Sequence, residues 1–222
     1  MINRLRVAAL IAVLLFLGSP AFADERITRF LSDIAITADG SANFREEITV
    51  TVDGAMIKHG IFRDFPSLAY GSPTQPMPAV FEVARVTMDG KAARYTVENM
   101  NGAQRVRIGD ENVTVEPGAH TYSISYSTGR LVLTPDTAVA FRWTVTGYGW
   151  ALPIDSVEAT IHVPPGSSIT QYGFHSGNPA APSGTVDVKQ SADGTISFHA
   201  QQELQPGEGL SVSVNFQSAK PI

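Results

Sequence analysis

The chain has 222 residues, of which 43% are hydrophobic, an ordinary share for a folded protein, and this excludes a disordered polymer. Its 16 basic residues are outnumbered by 21 acidic ones, so no basic stripe faces phosphate backbones and nucleic-acid binding is excluded. Cysteine is absent, which removes disulfides, thiolate nucleophiles, thiolate metal sites and dithiol redox motifs.

The chain opens with MINRLRVAALIAVLLFLGSPAFA, residues 1–23, which holds Arg4 and Arg6, an apolar run from Val7 to Leu17, and Ala21-Phe22-Ala23. That order of charge, apolar core and small-x-small site predicts a cleaved signal peptide over 1–23, leaving Asp24 as the first mature residue. The apolar run is about half of the roughly 20 residues that cross a bilayer as a helix, and an uncleaved N-terminal anchor is the alternative. Loss of both arginines takes the net charge to about −7. No later apolar window approaches spanning length, so the mature chain, 24–222, is expected to carry no membrane span. A short signal with no cysteine points to export, to the periplasmic or extracellular side of a bacterial envelope.

From Asp24 onward apolar and polar residues alternate in short runs bounded by Gly, Pro, Asn and Asp. DIAITADGSANFREEITVTVDG, Asp33 to Gly54, reads as a hairpin with Asp39-Gly40 as a two-residue primed turn. Asp-Gly returns at 53–54, 89–90 and 193–194. Strands follow through Val83 to Met88, Tyr95 and Val97, Val106 and Ile108, Val113 and Val115, and Tyr122 to Tyr126. Later come Phe141, Trp143 and Val145, then Val157 to Val163, a hairpin around Asp193-Gly194, and a closing strand in GLSVSVNFQ. Pro66, Pro73, Pro76 and Pro78 mark one long surface loop, and Ser176 to Gly184 another, since proline lacks the amide a central strand needs. The pattern predicts an all-β fold: one domain over 24–222, an antiparallel β-sandwich, either one large sandwich or two closely packed.

Several phrases occur together in order: the hairpin above, HGIFRDFP, RIGDENVTVEPGAHTYSISY, FRWTVTGYGWALPIDSVEATIHVPPG and LQPGEGLSVSVNF. In this order they resemble the extracytoplasmic N-terminal domain of the YciQ-like family of predicted bacterial membrane proteins, a domain of unknown function. The resemblance runs over nearly all of Asp24 to Phe216 and implies a fold and a location, because the family brings no reaction with it. It also implies membrane spans after the domain in relatives; this chain, ending in QSAKPI, reads either as a free exported domain or as a truncated member.

KHGIFRDFP sets His59, Arg63 and Asp64 close together. A histidine base, an orienting aspartate and an anion-stabilising arginine are the parts of a proton-transfer site. The structural alternative has Ile61, Phe62 and Phe65 anchoring the segment while Arg63 pairs with Glu46 or Glu47. Those two glutamates are neighbours on a strand and face opposite ways, so they form no catalytic pair, and whichever faces inward requires a cationic partner. Trp143, Tyr148 and Trp150 form an aromatic segment: Trp143 belongs to a core face, while Trp150, Tyr148 and Tyr70 are candidates for stacking on a sugar ring. The five histidines show no metal-ligand spacing, and neither a nucleophile elbow nor a phosphate loop is present. No catalytic residue, metal or cofactor is assigned. The reading is a non-catalytic interaction or sensor-like module with an envelope or membrane protein as partner, its oligomeric state open, and a carbohydrate-binding module as the alternative.

Overall fold

Strict alternation of buried and exposed residues builds the sheets of the computed structural model, which describes residues 24–66, 81–100, 103–129, 131 and 138–220. Residues 1–23, expected to be a signal peptide, Tyr70 and the Pro-rich stretch after Pro66 lie outside the described residues. An eight-stranded sheet has the order β12 (Val186–Gln190), β13 (Thr195–Ala200), β10 (Val157–His162), β1 (Arg26–Ile36), β2 (Ala42–Val52), β8 (Gly118–Thr128), β4 (Phe81–Met88) and β5 (Lys91–Ala92). A second sheet has β11 (Ser168–Gly177), β14 (Gly209–Gln217) and β9 (Ala138–Thr144). The third has β3 (Ile61–Pro66), β7 (Ala103–Ile108) and β6 (Tyr95–Met100). The fold is all-β, with no helix among the described residues.

Each sheet turns one apolar face inward. On β2, Phe44, Ile48, Val50 and Val52 are buried and every second residue between them is not. Phe44 of the large sheet meets Trp143 of β9 at 4.6 Å between ring centres, and Tyr126 of β8 meets Phe65 of β3 at 4.7 Å. The two three-stranded sheets therefore share the inner face of the eight-stranded one, and burial of that common apolar surface is the main force joining them.

Several expectations need correction. Pro66, read as loop, closes β3, and Ser176-Gly177, also read as loop, close β11, because pairing with β7 and β14 extends both strands. The described strand pairs are antiparallel except β1 and β10, which run parallel from Phe30↔Val157 to Ala35↔His162. The strand rhythm of a sequence specifies hairpin neighbours, whereas β10 reaches β1 from a strand in another sheet, and such a crossover permits a parallel pair. At Asp39-Gly40 the turn is not the two-residue primed type. Gly40 N–H donates to Thr37 O at 3.0 Å and Thr37 N–H to Ser41 O at 2.9 Å, and of the pair only Gly40 has positive φ, so the loop holds three residues. Asp89-Gly90 does form the primed turn, with φ of 51° and 76°. Finally, Val113 and Val115 are in no strand: Val113 N–H closes a turn onto Asp110 O at 3.0 Å, and Val115 N–H donates to Lys58 O at 2.9 Å. Three residues between two turn sequences are too few to pair.

Candidate functional site

The alternation of β3 divides KHGIFRDFP between two faces. Ile61, Arg63 and Phe65 point inward and are buried, while Phe62 and Asp64 point out. Phe62 thus does not anchor the segment to the core. It is 49% exposed, under the guanidinium of Arg105 at 4.9 Å, because its parity opposes that of Ile61 and Phe65.

An arginine sealed from water requires an acceptor for each donor. Arg63 Nε donates to Glu46 Oε2 at 2.7 Å and Nη2 to Glu46 Oε1 at 2.8 Å, a bidentate pair with both side chains at or below 2% exposure. Nη2 also donates to Val145 O at 2.7 Å, and Nη1 donates to Thr146 O at 2.9 Å and Asp64 O at 3.0 Å. All five N–H groups are therefore used. Burial works against the charged guanidinium, but the adjacent Glu46 carboxylate outweighs it and raises the Arg63 pKa above its ordinary value. Tyr126 O–H donates to Glu46 Oε1 at 2.8 Å; burial, then the same carboxylate, push its phenol well above the ordinary range. Through these groups β2 and β8 of the large sheet, β3 of one small sheet and the segment leaving β9 of the other meet at one guanidinium.

The other residues singled out in the sequence lie apart. Glu47 is on the opposite face of β2 and pairs with Arg45 at 2.7 Å. His59 is exposed in the loop before β3, its Nδ1 3.1 Å from Val113 O. Asp64 accepts from Arg105 Nε and Nη2, both at 2.7 Å, at a partly exposed site. The His–Arg–Asp trio is thus not one constellation. Arg105 was missed, because it is the cross-strand partner of Asp64 on β7 and register between strands is not written in local pattern.

Among the aromatics, Trp143 is buried on Phe44, in the core face expected of it. Tyr148 O–H lies 2.9 Å from Ser211 Oγ. Trp150 Nε1 donates to Thr146 O at 2.8 Å, and its ring meets Phe30 edge-on at 6.3 Å. Both are half-buried, with their polar atoms engaged inside the protein.

Residues 146–152 and β3 enclose a groove of about 290 Å³. Phe62 and Met56, the latter 57% exposed, stand at its mouth, Trp150 and Leu152 on its wall, and the Asp64–Arg105 pair on its rim. The loop passes close: a Cβ at Gly149 would lie 3.7 Å from Asp64 Oδ2. Arg63 has no N–H left for a ligand and Glu46 is sealed from solvent, whereas Arg105 retains three N–H groups. Among the described residues no group of three His, Asp or Glu side chains is placed to hold a metal ion.

Comparison with known proteins places these elements in context. The model of the family described as "Predicted membrane protein (DUF2207) N-terminal domain" matches residues 26–216. The uncharacterized protein YciQ of Escherichia coli (strain K12) is 25% identical over 162 residues, 69% of this chain and 26% of that protein. The chain thus spans about a quarter of the length of its curated relative. In fold it is similar to native leukotriene A4 hydrolase from Saccharomyces cerevisiae, with a TM-score of 0.52, 11% identity, and coverage of 91% of this chain and 32% of the hydrolase. The yeast hydrolase in complex with bestatin gives a TM-score of 0.51 at 10% identity. At such identity the likeness concerns the fold alone.

Proposed function

The chain belongs to the DUF2207 family of predicted membrane proteins as an N-terminal domain, and from that premise we propose that it is a non-catalytic interaction or sensor-like module. It works on the extracytoplasmic side of a bacterial envelope and engages another envelope protein through the groove between β3 and residues 146–152. The observation that carries this reading is the contrast between floor and mouth. Beneath the groove, every N–H of Arg63 is taken by Glu46 and backbone carbonyls, and Glu46, held by Arg63 and Tyr126, is sealed from solvent, so neither offers the groove a base or nucleophile. At the mouth, two large apolar side chains, Met56 and Phe62, stand in water at 57% and 49% exposure. Exposed apolar anchors around a concavity are characteristic of a binding face.

A photo-crosslinking residue at position 62 of the full-length protein in living cells tests the reading. It should form an adduct with a defined envelope protein, whereas the same residue at Arg142, on the outer face of β9, should not. Equal adduct patterns from both positions would overturn it.

The rival reading, a carbohydrate module, rests on Tyr148 and Trp150 lying on the same groove wall. Tryptophan fluorescence during glycan titration separates the two: a saturable change abolished by Trp150→Ala supports the sugar site.

A further inference from the structure

Resting on the interaction reading, we propose that the groove takes an extended peptide segment, seating one bulky apolar side chain against Phe62, Trp150 and Leu152 while the Asp64–Arg105 pair reads the adjoining amide. The volume, about 290 Å³, lies at the lower limit of ligand pockets, which suits a side chain with its neighbouring backbone better than an oligosaccharide.

Complementarity points the same way. A peptide group offers a C=O acceptor and an N–H donor side by side. Arg105 spends Nε and one Nη2 hydrogen on Asp64, so both Nη1 hydrogens and one on Nη2 are left to donate to a carbonyl. Each Asp64 oxygen accepts one bond from Arg105 and keeps lone-pair capacity for an amide N–H. Because the two side chains already fix each other bidentately, little of their freedom is lost on binding. Met56 at the mouth supplies a flexible, polarisable wall that adapts to different apolar side chains.

A sugar ring asks for something else. It needs fixed polar groups spread around its rim, yet those with spare capacity here are gathered in the Asp64–Arg105 pair, while the Trp150 indole N–H is bonded to Thr146 O and the Tyr148 hydroxyl to Ser211. Free charges are also absent from the floor, so the site selects for an uncharged amide, not for a chain end.

The test is an NMR titration of the isotopically labelled protein with N-acetyl-phenylalanine amide, with N-acetylglucosamine and free phenylalanine as matched probes. The amide should produce saturable shifts at Gly60, Gly149 and the Trp150 indole, at least about tenfold weaker in Arg105→Gln and in Phe62→Ala, both surface changes that leave the remaining spectrum in place. Preferential binding of N-acetylglucosamine, or shifts unaffected by Arg105→Gln, would overturn the peptide assignment. Failure of all three probes would also overturn it. The interaction reading would still stand if the position-62 crosslink persisted, and would fall with it if that crosslink were lost.

Discussion

Glu25 carries four backbone donors on one carboxylate. The N–H groups of Asp53 and Gly54 donate to Oε1 at 3.0 and 2.9 Å, and those of Met56 and Ile57 donate to Oε2. The loop that leads to the groove mouth is thereby fixed to the residue that immediately precedes β1. Burial alone would raise the Glu25 pKa, but the four donors outweigh it and hold the carboxyl below its ordinary value. A lowered folded-state pKa contributes stability above the unfolded pKa, near about 4.3, and loses it as pH falls through the folded value. Glu25→Gln should cost about 1–3 kcal/mol at neutral pH in urea unfolding and flatten the acid limb of the stability profile. His120 has the opposite sign. Its Nδ1 lies 2.7 Å from Asp89 Oδ2 and its Nε2 2.8 Å from Glu116 O, two acceptors that only the imidazolium satisfies together. The hydrogen bond to Asp89 is the largest cause raising its pKa above the ordinary value, with Glu116 adding and burial opposing. Its contribution is complete below the unfolded pKa, near about 6.5, and disappears as pH rises through the higher folded value. Urea midpoints measured below and above the histidine range should converge in His120→Asn relative to the parent. At this scale the sequence narrowed the partner of Arg63 to Glu46 or Glu47, and the structure selects Glu46, which shares the inward parity of Phe44 and Ile48. It was silent on Arg105, whose role depends on a register.

Among the elements, phrases that stand far apart in the chain meet in pairs. Gly60 of HGIFRDFP and Gly109 of RIGDEN face each other where β3 begins and the antiparallel β7 ends. A Cβ on Gly60 would lie 1.8 Å from Ile108 O, and one on Gly109 would lie 1.9 Å from His59 O, with φ of 121° and 132°. Neither position accepts a side chain, so Gly60→Ala should cost about 2–4 kcal/mol and move the denaturant midpoint accordingly. Substituting exposed Met56 by Ala should move it by less than about 0.5 kcal/mol. The TGYGW and PGEGL phrases meet in the same way: Leu210 N–H donates to Thr146 Oγ1 at 3.0 Å, and a Cβ on Gly209 would come within 2.5 Å of Gly147 O. Strand positions were legible because alternation is local. The parallel β1–β10 pair and the three-residue loop at Asp39-Gly40 were not, because crossover geometry and loop length depend on where the next strand is placed.

Across the whole molecule, three sheets share one apolar interior, and the Glu46–Arg63–Tyr126 cluster is the polar point at which they meet. The all-β class followed from strand rhythm, but the division into one eight-stranded and two three-stranded sheets did not, since it depends on long-range pairings that no window of sequence contains. A buried ion pair need not add net stability relative to apolar packing, yet loss of one partner strands the other in a dry interior. Arg63 thus joins the β3–β7–β6 sheet, and with it the groove, to the rest of the fold. Native-state amide exchange of Arg63→Met, combined with urea unfolding, probes this coupling. Stability should fall by about 3–5 kcal/mol, with protection lost first in β6, β7 and residues 145–150 while β1, β2 and β10 keep theirs. A loss below about 1 kcal/mol, or protection falling uniformly through all three sheets, would contradict it.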